Sequence, residues 1–128
     1  MKTTQTAYDL FTAAMRLRSR MDDVRLTIRE RDALHTQLHL LESSTVAWRA
    51  IFEGFIRNND LYATTMPGWS LFKQRTFPLR IRVPDKYTEM FLDVRRGQKM
   101  IVSGTLTKIP PEFFEKHIEM HADTITLL

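Results

Sequence analysis

The first glycine of the chain is Gly54 and the first proline Pro67. More than fifty residues thus precede either of the two strong backbone punctuators, and the apolar residues within them are spaced as on a helix. Over residues 8–42, Leu10, Ala14, Leu17, Met21, Val24 and Ile28 follow one another in steps of four and three, the seam of a coiled coil. After Ile28 the stripe resumes at Leu34, Leu38 and Leu41, so it drifts around the helix. A helix of about 35 residues is a rod of roughly 50 Å, longer than the remaining 85 or so residues need for a core of their own. One arrangement packs it back on the rest of the chain as an ordinary helix. The near-heptad register favours the other, association through Leu10, Leu17, Met21, Val24, Ile28, Leu34, Leu38 and Leu41 with a second copy or a partner chain. Residues 1–43 carry seven basic and six acidic side chains, so interhelical ion pairs account for the arginines better than a basic DNA-binding region does.

Ser43, Ser44 and Thr45 mark a change of period. Residues 45–57 (TVAWRAIFEGFIR) are rich in branched and aromatic side chains, with Val46, Trp48, Ala50 and Phe52 on one face and Gly54 where a long strand has to bend. Asn58, Asn59 and Asp60 supply a turn. A second strand is expected over residues 61–66, a connecting loop over 67–76 and a third strand over 77–83. In that third strand Phe77, Leu79, Ile81 and Val83 face inward and Arg80 and Arg82 outward. Asp85 is placed to cap a short helix whose inner stripe is Tyr87, Met90, Phe91 and Val94 and which ends at Gly97. Two further strands, about 99–108 and 117–127, close the chain as a hairpin containing Pro110 and Pro111. The expected fold is mostly β with a long N-terminal α-helix, divided into a helical region (1–43) and a five-stranded Greek-key barrel (44–128) with a short helix between its third and fourth strands.

That order, together with the bend at Gly54 and the closing segments GQKMIVSGTLTKI and HADTITLL, resembles the OB-fold superfamily, whose barrels bind oligonucleotides and oligosaccharides. The resemblance spans roughly residues 45–128 and selects no single family within it. It implies a binding face across the second and third strands, flanked by the loop after the first strand and the loop between the last two. On that face stand Arg80 and Arg82, with Arg57 and Asn59 at the first turn and Trp69, Phe72, Lys73 and Arg75 in the loop between strands two and three. Single-stranded nucleic acid calls for such a mixture, because cations follow phosphates while aromatic faces stack on bases.

Charge agrees with that direction. The chain has a formal net charge of +4, and residues 73–99 hold eight basic side chains against three acidic, which favours a polyanionic partner. The other reading is that the arginines form a solvated face and the loop rings plug the barrel, leaving a structural or adaptor subunit that docks a protein. Catalysis is not expected. The chain has no cysteine, its four glycines are too scattered for a phosphate loop, and Ser103 lies within a strand instead of on a nucleophile elbow. His117, Glu119 and His121 share a face, and His35 and His39 are a helical i, i+4 pair, but neither set has a further histidine or a cysteine to complete a metal site. The expectation is therefore a non-enzymatic protein without metal or cofactor. It binds single-stranded DNA or RNA and forms a homo-oligomer or pairs with a coiled-coil partner. With no apolar run of membrane-spanning length and no hydrophobic core in MKTTQTAYDL, it is expected to be cytoplasmic.

Overall fold

The computed structural model describes residues 5–57, 59–66, 76–111 and 117–128. The single long helix does not form. Two helices of 15 residues, α1 (Ala7–Met21) and α2 (Ile28–Glu42), pack against each other as a helical hairpin. No glycine or proline is needed to break them apart. Asp23 accepts hydrogen bonds from the backbone N and guanidinium of Arg25, an Asx-type arrangement that competes with helix. Those bonds hold the Asp23 carboxyl below the usual carboxylate range. Thr27 then opens α2 with a reciprocal capping box, its hydroxyl accepting from Glu30 N while the Glu30 carboxylate accepts from Thr27 N.

Five strands follow: β1 (Thr45–Arg57), β2 (Asp60–Thr65), β3 (Pro78–Arg82), β4 (Lys99–Lys108) and β5 (Ile118–Leu127). They close in the order β1-β2-β3-β5-β4, with β3 and β5 parallel and the other neighbours antiparallel. This is an OB-type barrel. Strand alternation builds its core as the sequence predicts: Val46, Trp48, Ala50 and Phe52 of β1, together with Phe77, Leu79, Ile81 and Val83, are all buried. β1 bends at Gly54, where its register with β2 shifts and φ is +155°. Gly104 is required for a different reason. The β4 and β5 backbones approach so closely there that a Cβ would lie 2.1 Å from the carbonyl oxygen of His121.

Aromatic side chains seal both ends of the barrel. At one end Phe91 packs on Phe52 (5.4 Å between centroids) and Phe55 (5.7 Å). Phe91 comes from the expected short helix, which is in fact two 3-10 segments, Asp85–Tyr87 and Glu89–Asp93. Asp85 does not cap the first of them, because its carboxylate accepts a hydrogen bond from the Asn59 amide. At the other end α1 supplies the plug. Ala7, Leu10, Phe11 and Ala14 join the barrel core, Phe11 lies 5.1 Å from Phe77, and Trp48 Nε1 donates to Gln5 O. Burying a ring such as Phe11 stabilises the fold by about 1.5–3 kcal/mol. Arg18, one turn beyond Ala14, donates to the carbonyls of Ile109 and Pro110 and so fixes the helix to the start of the β4 to β5 connection. Among the described residues, the barrel ends are thus covered, while side chains such as Tyr62 and Arg82 on the outer wall are exposed.

Candidate nucleic-acid interface

Strand parity sets the outer wall of β2, β3 and β5. Leu61, Ala63, Leu79, Ile81, Ile118 and Met120 point inward and are buried, so the residues between them point out. The registers then lay these residues in two rows across the wall. One row runs Tyr62, Arg80, Glu119, Lys108, and the next Asp60, Arg82, His121.

Asp60 stands behind the arginines. Its carboxylate is only 10% exposed and reaches both of them, with Oδ2 3.5 Å from Arg80 Nη2 and Oδ1 3.8 Å from Arg82 Nη1. Arg80 Nη1 also lies 3.7 Å from Glu119 Oε1. Contacts this long between groups still 37% and 62% exposed at the arginines contribute about 0–1 kcal/mol each. They orient the guanidinium groups while leaving donors free for another anion. With exposed Arg57 at the end of β1 and Lys108 at the end of the first row, four cations face two carboxylates among the described residues.

Beside Arg80 lies an aromatic pair. His117, immediately before β5, stacks on Tyr62, with the centroids 4.7 Å apart and the rings inclined by 28°. Tyr62 is 37% exposed, so part of its surface remains open. Burial, and secondarily the charge of Arg80, hold the His117 imidazole below its usual protonation range, with Glu119 acting in the opposite direction.

Of the residues expected at the interface, Arg80 and Arg82 share this wall and Arg57 is exposed at its margin. Asn59 sits at the β1 to β2 turn with its amide occupied, donating to Val83 O (3.1 Å) and to Asp85. It anchors the turn to the end of β3. Trp69, Phe72, Lys73 and Arg75 lie outside the described residues. Sequence reasoning missed the role of Asp60, treated as a turn residue, and the meeting of Tyr62 with His117. The alternation of His117, Glu119 and His121 signalled a common face, and only the parallel pairing of β3 with β5 shows which face it is. Among the described residues, no three His, Asp or Glu side chains converge as a metal site.

The residues expected to associate are distributed over the hairpin. Leu10 and Leu34 are buried within the chain, Leu38 and Leu41 pack against the core from its edge, and Leu17 and Met21 are half-buried. Val24, in the turn, and Ile28, at the start of α2, are 90% and 82% exposed.

No protein-family model matches the chain, and no curated protein matches it. Solved structures similar to it include the mitochondrial single-stranded DNA-binding protein Rim1 of S. cerevisiae, at 13% identity and TM-score 0.44, covering 67% of this chain and 94% of that one. The small single-stranded DNA-binding protein of Streptomyces coelicolor is similar at 12% identity and TM-score 0.45, covering 66% and 92%. The S. pombe Stn1-Ten1 complex is similar at 13% identity and TM-score 0.41, covering 66% and 57%. Likenesses of this depth carry no argument about ligand, and the OB-type assignment rests on strand order and register.

Proposed function

We propose that this chain is a non-enzymatic protein that binds single-stranded DNA or RNA across the outer wall of β2, β3 and the start of β5. The observation that carries the reading is the half-open Tyr62 and His117 stack standing beside Arg80 and Arg82. A base stacked on such a ring gains about 1–3 kcal/mol, and its flanking phosphates fall to Arg80, Arg82 and Arg57. Asp60 keeps the two guanidinium groups oriented before the ligand arrives, which lowers the ordering cost of binding. Self-association through the hairpin belongs to the same proposal. The exposed Val24 and Ile28 at its tip would meet a second copy, and paired barrels would add avidity to weak single sites.

Fluorescence anisotropy with a labelled oligo(dT) of about 15 nucleotides at two salt concentrations tests the site. Binding is expected to weaken steeply with salt. Arg80→Gln with Arg82→Gln, chosen to preserve hydrogen bonding to Asp60, is expected to reduce the salt slope by about 1.4, two phosphates at roughly 0.7 each for a single strand. Unchanged binding by that variant at unchanged melting temperature, or no binding at low salt, overturns the proposal. The second outcome favours a reading in which the hairpin tip, with its exposed Val24 and Ile28, assembles a complex and the barrel docks a protein.

A further inference from the structure

β5 enters the interface only because it pairs in parallel with β3. That pairing sets Glu119 opposite Arg80 and His121 opposite Arg82, and it carries His117 to the edge of β2, where its ring covers one face of Tyr62. Three groups face the imidazole among the described residues: Tyr62 from β2, Arg80 from β3 and Glu119 from its own strand. Arg80 is in turn held between Asp60 and Glu119. The free protein thus places a half-buried histidine against a cation that repels its proton. Among the described residues, the carboxylate that faces it, Glu119, is already engaged with that same cation.

We propose that His117 couples single-strand binding to proton uptake: uncharged, it completes a two-ring platform with Tyr62, and with a phosphate seated on Arg80 it becomes an additional cationic contact. This rests on the binding reading above and goes beyond it by naming how the site is regulated. A phosphate on Arg80 offsets the charge that disfavours the imidazolium and adds an anion within reach of it. The imidazolium keeps its stacking, since a cation over a tyrosine face is attracted by the ring. The stability direction in the free fold agrees, because burial and Arg80 lower the proton affinity of His117 before ligand binds. Linkage is reciprocal: if the ligand raises the proton affinity of His117, protons raise the affinity for ligand by the same factor. Affinity therefore increases as pH falls, by up to about tenfold per pH unit for one proton.

The test is oligo(dT) anisotropy at constant ionic strength between about pH 8 and pH 5.5, the range in which histidine titrates and thymine does not. The wild-type protein is expected to bind more tightly at the acid end, by about fivefold or more. His117→Gln is expected to flatten the profile. His117→Phe, which keeps a ring against Tyr62 but carries no proton, is expected to show no gain between the alkaline and the acid end. His121→Gln, on the same strand and opposite Arg82, is expected to keep the gain. Melting curves at each pH establish that the variants are folded. Binding with a flat wild-type profile, or an acid gain that survives in His117→Gln, overturns the proton coupling and leaves the binding reading standing. Absence of binding at every pH in low salt overturns both.

Discussion

The barrel and the helical hairpin are built by one chain on opposite terms. In the barrel every strand has a neighbour on each side, and Leu61, Leu79, Ile81, Met100, Val102 and Ile118 have no exposed surface at all. In the hairpin the first turns of α1 enter that core, and α2 touches it only at its edge, through Leu38 and Leu41. Burial in α1 stops at Ala14, and α2 has one buried residue, Leu34. Closure of a sheet satisfies itself, whereas the two helices leave apolar side chains, Val24 and Ile28, that stay exposed among the described residues. The difference separates what the fold needs from what the fold offers. Phe11 belongs to the first category, Val24 and Ile28 to the second.

The sharpest way to break this contrast is Phe11→Ala. If the start of α1 is part of the barrel core, removing the ring costs about 3–5 kcal/mol, and helical and aromatic circular dichroism signals disappear in one transition. Two transitions, with the barrel melting as in the wild type, would show that the hairpin is an accessory. Gly104→Ala probes the barrel alone. The added methyl meets the His121 carbonyl and the Ala122 backbone, and because backbone cannot yield as a side chain can, a loss of about 3 kcal/mol in urea unfolding is expected. A smaller effect comes from acid. His117 binds protons less readily in the fold than in the unfolded chain, so its contribution is complete above the ordinary imidazole range and declines as pH falls through that range and below. Urea unfolding across those pH values is expected to show a shallower decline for His117→Gln. The smallest stability effect belongs to Val24→Asp with Ile28→Asp, within about 0.5 kcal/mol. Its readout is sedimentation velocity, where the variant is expected to lose any self-association of the wild type. Association that persists in the variant would place the contact elsewhere.

The same contrast explains what could be read from the sequence. Strands alternate over short distances, so residues 77–83 declared both their inner apolar row and their outer arginines without any knowledge of their neighbours. The hairpin reads as a rod because the four-three spacing runs on through Val24 and Ile28, although α1 ends at Met21 and α2 begins only at Ile28. The stop signal was present as Thr27 with Glu30, a capping-box pattern that an apolar stripe on both sides obscured. Asp85 showed the reverse error. It has the composition of a cap, but Asn59, distant in sequence, takes its carboxylate. The interface was legible only in part for a related reason. Arg80 and Arg82 are set by local parity, whereas Asp60 behind them and His117 beside Tyr62 depend on cross-strand registers that no local pattern encodes.

Arg18 gives the hairpin a mechanical meaning. One guanidinium grips two successive carbonyls, Ile109 and Pro110, at the point where the chain leaves β4 on its way to β5. The helical layer and that connection are thereby pinned like two plates on one rivet. Drawing the hairpin away from the barrel therefore requires breaking the bonds to Ile109 and Pro110.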